Sequence, residues 1–362
     1  MTVLIAGGGS GGHVFPMVAV GDAVRAARPS AEVVYVGTAR GMEARLVPDR
    51  GDRLELLRVD PLRGGGVRGF LQGAARALAS LPAARALVAR IRPDVVLSVG
   101  GYASGPVSLA ARIAGVPLAL LEPNSILGLA NRLLAPLVRR AYVAFPEVEK
   151  RFRPSVVMRS GVPLRGAFAA APYVAVPGRM RVLLLGGSQG AAALNTALPE
   201  AIALAARSAP EVTVVHQTGK GRDQEVRARY AELGIAERAT VTAFIDDVAA
   251  AIADADLVVQ RAGAGAVAEL CAIGRPSLFV PFPFAADDHQ TTNARSLSDV
   301  GAAVFVPQSE ATPLRLAAEI EALARDPARR LRMAEGARAR GVPDAAARVA
   351  EDLLRLAEGR AL

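Results

Sequence analysis

The chain opens with a short β-branched run, residues 3–6, that passes directly into Gly7-Gly8-Gly9-Ser10-Gly11-Gly12-His13 and then into a helical stretch over 14–27. Strand, glycine turn, helix is how a doubly wound α/β domain begins, though the glycine pattern alone is only moderately specific. The glycines allow positive φ and let the backbone approach a bound group, while the helix start offers N–H groups and a partial positive charge to an anion. A tight turn holding nothing is the plain alternative, but it would need fewer glycines. His13 stands at the helix start, where the dipole favours the neutral imidazole suited to accepting a proton or hydrogen bond. A packing or capping role is the competing reading for it.

The same order returns in the second half. The run 181–185 leads into Gly186-Gly187-Ser188-Gln189-Gly190-Ala191, and between the two openings lies a Pro-, Gly- and Ala-rich stretch at 161–179 containing Pro163, Pro172 and Pro177. Strands are expected at 3–6, 32–36, 54–59, 94–99, 117–121 and 141–145, and again at 181–185, 212–216, 240–244, 256–260, 276–280 and 302–306, with helices between them. At 362 residues the chain exceeds the usual size of one core. The expected fold class is α/β, two Rossmann-like doubly wound domains facing across a cleft. The N-terminal domain would cover 1–162, a linker 163–180, and the C-terminal domain 181–362, with the last helix able to pack back on the first domain.

Other loops narrow the chemistry. A dinucleotide site calls for an acidic residue at the end of the second strand, and here that strand ends Val34-Tyr35-Val36-Gly37-Thr38, which counts against NAD. Gly100-Gly101-Tyr102-Ala103-Ser104-Gly105-Pro106 is a further glycine turn expected to line the same crevice. In the second half Arg261-Ala262-Gly263-Ala264-Gly265-Ala266-Val267-Ala268-Glu269 leaves a strand and enters a helix. Glu269 could accept both ribose hydroxyls, or merely offset the helix dipole. The polar loop 281–293, with Asp287-Asp288-His289-Gln290, has the profile of a functional loop. Asp254-Ala255-Asp256 spells a metal-binding pattern of another transferase fold but is read as turn capping. Three histidines and one cysteine, far apart, give no zinc site, so neither a metal nor a cofactor is expected.

Charge is unevenly spread. Residues 1–165 carry 22 basic and 11 acidic side chains, against 21 and 23 in 166–362. Such asymmetry suggests an anionic surface for the first half. With no Trp, five Tyr and ten Phe, stacking platforms for nucleic acid are scarce, so acidic lipid is the expected partner and nucleic acid is not. The segment 63–93 holds Arg63, Arg68, Arg76, Arg85, Arg90 and Arg92 without an acidic residue, beside Val67, Phe70, Leu71, Ala74 and Leu78 at near-helical spacing. A basic amphipathic helix of this kind can lie on a membrane, or can be an ordinary helix with solvated arginines. No apolar run reaches the roughly 18–20 residues of a span. Residues 3–6 read as a folded strand and not as a signal peptide, and the lone Cys271 fits a reducing cytosol.

Taken together, GGGSGGHVFP at 7–16, GGYASGP at 100–106, Asn124, GGSQGA at 186–191, FIDD at 244–247, 261–269 and DHQTTNA at 288–294 closely resemble the MurG family of bacterial cell-wall N-acetylglucosaminyltransferases, peripheral membrane enzymes of the GT-B fold. The resemblance implies inverting transfer of N-acetylglucosamine from UDP-GlcNAc to the 4-hydroxyl of a muramyl-pentapeptide on undecaprenyl diphosphate, at the cytoplasmic face of the cell membrane, usually without metal. It implies that the first loop receives acceptor diphosphate, with Ser10, Gly11 and Gly12 near the transferred sugar. Asn124 would bind the sugar, Arg165 and Ser188 the phosphate side, and Ile245 the uracil through its backbone. Ala264, Gly265, Ala266, Val267, Ala268 and Glu269 would cradle phosphate and ribose, and Gln290 the sugar hydroxyls. His13, Asn124 and Glu269 form the candidate catalytic set, with His13 the expected base and Asp288 and Glu122 its rivals. The chain departs from the family pattern at Ser10 (commonly Thr), at Leu121 and Pro123 (commonly His and Gln) and at Ala266 (commonly Thr), where one phosphate donor is lost.

Overall fold

A computed structural model describes residues 1–59, 79–166, 168–187, 190–209 and 211–359. Ser188 and most of the basic segment 63–93 lie outside the described residues. The chain divides into two compact units, Met1–Gly166 with Val342–Leu362, and Ala167–Gly341.

In the first unit β1 (Thr2–Gly7), β2 (Glu32–Gly37), β3 (Arg53–Leu56), β4 (Val95–Gly100), β5 (Leu118–Glu122), β6 (Arg140–Val143) and β7 (Val157–Arg159) form one sheet in the order β3-β2-β1-β4-β5-β6-β7. All pairings are parallel, with Ile5 opposite Tyr35 on one side and Leu97 on the other. Central strands such as VVLSVG are buried along their whole length, as a parallel sheet covered on both faces requires. Crossovers are made by α1 (Gly11–Ala27), α2 (Glu43–Asp49), α3 (Leu81–Ile91), α4 (Ser104–Ile113), α5 (Leu129–Leu134) and α6 (Pro146–Glu149). β7 was not among the expected strands; three residues flanked by Pro154 and Gly161 are too short to show a period.

The second unit repeats the plan with β8 (Met180–Leu185), β9 (Val212–Gln217), β10 (Ala239–Thr242), β11 (Leu257–Gln260), β12 (Ser277–Phe279) and β13 (Val304–Phe305), in the order β10-β9-β8-β11-β12-β13 and again parallel. Its helices are α7 (Ala192–Ser208), α8 (Asp223–Glu232), α9 (Val248–Asp254), α10 (Ala264–Ile273), α11 (His289–Ser298), α12 (Pro313–Arg325) and α13 (Pro327–Ala339). Leu194, Leu198, Ala201 and Ile202 of α7 share a core with Leu316, Ile320 and Leu323 of α12, the three-and-four spacing of a helix with one apolar face.

The last helix, α14 (Ala345–Ala357), belongs to the first unit. Val349, Ala350, Leu353 and Leu354 join the core formed by Val14, Met17 and Val18 of α1. On its other flank Asp352 accepts a bidentate pair from Arg140, at 2.7 and 2.9 Å, and the hydroxyl of buried Tyr142 at 2.9 Å. Arg28 pairs with Glu358 just beyond the helix.

In both sheets the order reverses between the first strand and the fourth, at β1/β4 and at β8/β11. Such switch points are where open α/β sheets leave a crevice beyond the carboxyl ends of their strands.

Candidate functional site

At the first switch point two glycine turns touch. Gly8 and Gly9 follow β1 with φ of +141° and +94°, and Gly100 and Gly101 end β4 with φ of +95° and +89°. A Cβ on Gly101 would come within 2.5 Å of the Gly8 carbonyl oxygen, so only glycine permits the approach. Ser10 occupies the N-cap of α1 with extended backbone; its carbonyl accepts from His13 N and Val14 N, and its hydroxyl makes no capping hydrogen bond. Gly9, Ser10 and Gly12 are exposed and Gly11 and His13 half-buried, which places the amino end of α1 at the surface of the crevice. Helix-start amides have no intrahelical acceptor, and they carry the positive end of the dipole.

His13 sits against β4. A Cβ on Gly100 would lie 3.1 Å from His13 Nε2 and 3.6 Å from Asn131 Nδ2, so the glycine keeps room for both side chains. Asn131 leads on to Glu122 at the end of β5. The buried Glu122 carboxylate accepts from Asn124 N (3.1 Å) and Asn124 Nδ2 (3.3 Å) on one oxygen, and from Gly128 N (3.0 Å) and Asn131 Nδ2 (3.0 Å) on the other. Four donors make Glu122 the organiser of the 122–131 turn and the group that orients Asn124. Exposed Arg165 lies over the Phe15 ring at 4.3 Å, one turn along α1 from the glycine loop. The first unit thus gathers Ser10, Gly11, Gly12, His13, Asn124 and Arg165 from the sequence-predicted set.

The second unit gathers the rest. Gly187 and Gly190, at φ of +75° and +74°, shape the turn between β8 and α7. Gln217, at the end of the neighbouring β9, grips that turn: its Oε1 accepts from Gly187 N at 2.9 Å, and its Nε2 donates to Gly187 O and Ala243 O at 3.0 and 3.1 Å. Beside it, buried His216 bonds Asn195 Oδ1 (3.1 Å) and the Tyr230 hydroxyl (3.0 Å), while Asn195 Nδ2 donates to Thr218 O. Burial pushes the His216 imidazole down to about 4.

After β11, Gly263 is the N-cap of α10; Ala264, Gly265 and Ala266 carry its helix-start amides, Val267 N already donates to Gly263 O at 3.0 Å, and Ala268 and half-buried Glu269 follow. Ala264 and Val267 are buried on the core side of the helix, so Ala264 would offer a ligand its backbone alone, while the Val267 amide is already held by Gly263 O. Gln290 Oε1 accepts from Ala262 N (3.2 Å) and Phe282 N (2.9 Å), fixing the turns after β11 and β12 together. Arg261 donates to Val280 O, Pro281 O and Gln308 Oε1, and burial lowers its basicity. Ile245 follows β10, half-buried beside exposed Phe244.

The rival base Asp288 belongs to this second unit. It is exposed at the N-cap of α11 and accepts the Thr291 hydroxyl at 2.7 Å. Asp254 and Asp256, read from sequence as turn capping, instead pin the amino ends of β8 and β11. Asp254 pairs with Arg181, and fully buried Asp256 accepts from Arg181 N and the Arg179 guanidinium. Among the described residues no group of three or more His, Cys, Asp or Glu side chains could hold a metal ion, and no helix is long and apolar enough to cross a membrane.

Two residues under the glycine turns escaped sequence reasoning, Glu43 and Gln217. Glu43 looks like an ordinary helix-start acid, and Gln217 like the polar end of a strand. A signal was available for Gln217, since it stands at the strand end where a dinucleotide fold would carry its acid.

The family model of the glycosyltransferase family 28 N-terminal domain matches residues 3–143, and that of the glycosyltransferase family 28 C-terminal domain residues 181–349. A relative in Sorangium cellulosum (strain So ce56), named UDP-N-acetylglucosamine--N-acetylmuramyl-(pentapeptide) pyrophosphoryl-undecaprenol N-acetylglucosamine transferase, is 63% identical over 359 residues, covering 99% of this chain and 89% of its own. The crystal structure of Acinetobacter baumannii MurG aligns with a TM-score of 0.81 at 31% identity, over 98% of this chain and 99% of that one. UDP-GlcNAc 2-epimerase from Neisseria meningitidis aligns at 0.68 with 14% identity, over 98% of this chain and all of that one, a likeness of fold alone. With both family models placed on the two sheets, and identity this high over nearly the whole length, the chain belongs to the MurG family of N-acetylglucosamine transferases, within glycosyltransferase family 28 and the GT-B fold class.

Proposed function

We propose that this chain transfers N-acetylglucosamine from UDP-GlcNAc to the 4-hydroxyl of a muramyl-pentapeptide carried on undecaprenyl diphosphate, inverting the anomeric centre. The observation that carries the reading is the 63% identity to a relative named for that transfer. The acceptor oxygen attacks the anomeric carbon as the bond to the UDP phosphate oxygen breaks. The hydroxyl proton passes to His13, and the bonding pair leaves with UDP. Stabilising that leaving charge is the task of helix-start amides, and the turns before α7 and α10 supply them. Ser188, outside the described residues, would add its hydroxyl there. Ile245 would meet the uracil, Glu269 the ribose, and Gln290 the donor sugar through its amide, since its carbonyl oxygen already holds two backbone N–H groups. Ser10, Gly11, Gly12, Asn124 and Arg165 would meet the acceptor and the transferred sugar.

The acceptor's lipid chain requires the enzyme to work at a membrane surface. The basic excess of residues 1–165 supports docking on anionic lipid at the cytoplasmic face, as a peripheral protein. The test offers UDP-GlcNAc, UDP-glucose or UDP-GalNAc, each with labelled sugar, to a synthetic lipid-linked muramyl diphosphate. Label should pass only from UDP-GlcNAc and only with the acceptor present. Conversion of UDP-GlcNAc without acceptor would make the chain an epimerase instead. Liposomes containing anionic lipid should retain the protein at low salt and release it at high salt; indifference to lipid charge would remove the membrane arm.

A further inference from the structure

Beneath the first glycine turn lies a carboxylate that no part of the proposed chemistry uses. Glu43, the first residue of α2, has no exposed surface. Its Oε1 accepts from Thr38 N at 2.8 Å and from the Thr38 hydroxyl at 3.1 Å, and its Oε2 accepts from Gly9 N at 2.8 Å. Met42 N returns a bond to Gly9 O at 3.3 Å, so both backbone polar groups of Gly9 are tied to the head of α2. Three glycines from separate segments make room for this side chain: a Cβ on Gly8, Gly37 or Gly41 would overlap it. Filling space alone would be done as well by leucine or methionine, without removing a carboxylate from water. The polar group is there for its hydrogen bonds, and one of them crosses 34 residues to the turn that presents Ser10, Gly11, Gly12 and His13.

We propose that Glu43 is a positioning residue: it holds Gly9 at positive φ and so aims the amino end of α1 and His13 at the substrate. It touches no reacting atom. The inference rests on the transfer reaction proposed above for its kinetic half, and on the turn itself for its structural half.

Glu43→Gln keeps the size but puts an NH2 where an acceptor stood, so at least one of Thr38 N and Gly9 N loses its partner whichever way the amide is turned. The variant should lose about tenfold or more in kcat, with the dissociation constant for UDP, measured by calorimetry, within twofold of wild type. Hydrogen exchange at residues 7–13 should quicken about tenfold while 186–217 stays unchanged. Thr38→Val, which removes only the hydroxyl donor and leaves the bond to Gly9, should stay within threefold in kcat. Unchanged exchange at 7–13 in both Glu43→Gln and Glu43→Leu, which can keep neither bond, overturns the inference, as does an unaltered kcat in a variant whose melting temperature alone has fallen. Equal losses in Thr38→Val and Glu43→Gln overturn it too, because the Gly9 bond would then be irrelevant. Should Glu43→Gln fail to fold, Gly9→Ala serves: its methyl meets no neighbour but resists φ of +94°, so full turnover there would also be decisive against the idea. A wild-type chain that transfers no sugar sinks the proposed function and the kinetic half with it, whereas the exchange measurement still decides whether Glu43 holds the turn.

Discussion

Glu43 and Gln217 stand under equivalent turns, those after β1 and β8, and each reaches its turn from the neighbouring strand's side of the sheet. One is a carboxylate that can only accept; the other is an amide that accepts from Gly187 N and donates to Gly187 O. The amide leaves the second turn's electrostatics as the backbone makes them. The carboxylate takes up one loop N–H at the foot of α1. In the second turn a single side chain ties both backbone polar groups of Gly187, whereas in the first Gly9 N is held by Glu43 and Gly9 O by Met42 N. Glycine spacing marks where backbone can come close to a ligand; the residue beneath fixes how that backbone is held.

The largest expected effect that separates the two turns is one of acid. His216 titrates at about 4 in the fold against 6.5 unfolded, so between those values the unfolded chain binds more protons. Its stabilising contribution is complete above about 6.5 and falls away by about 3 kcal/mol as pH drops through the window to about 4. Thermal melts at pH 7 and pH 4.5 should show the second unit weakening, and His216→Gln should flatten the difference. Equal acid losses in both proteins would end that account. The next effect belongs to the first turn. His13→Ala should reduce turnover roughly a hundredfold or more with UDP affinity preserved, and turnover within threefold of wild type would take His13 out of the mechanism.

Gln217→Leu should be milder and opposite in kind. It strips partners from Gly187 N, Gly187 O and Ala243 O, so UDP binding should weaken about tenfold while the acceptor KM stays within twofold. A change in acceptor KM alone would erase the proposed division of labour between the turns. The smallest is Tyr142→Phe, which removes one hydrogen bond to Asp352 and leaves Arg140 in place. It should lower the stability of the first unit by about 1 kcal/mol, seen as faster exchange in α14 and none in α7.

Much of this was legible in the chain. The β-branched runs 32–36 and 94–99 are Glu32–Gly37 and Val95–Gly100 in the structure, because strands buried on both faces must be continuously apolar. The glycine turns were legible for the same kind of reason: positive φ at Gly8, Gly100 and Gly187 demands the residue that announces it. Glu43 and Gln217 were not. Each acts on backbone that lies near it only after the sheet has formed, Gly9 being 34 residues from Glu43 and Gly187 30 from Gln217. Nothing in local composition marks such a partner. Asp256 was misread for that reason, since the arginines it holds lie more than 70 residues earlier.

The return of α14 to the first unit has a consequence for the order of assembly. The second unit is one continuous stretch, Ala167–Gly341, and a ribosome finishes it before the residues that complete the first. Until Val349, Leu353 and Leu354 emerge, the apolar flank of α1 that they cover stands open, as does the Arg140 and Tyr142 pair that awaits Asp352. The part of the protein made first is therefore the part that closes last, and its half-built core must be kept from other chains throughout synthesis of the rest.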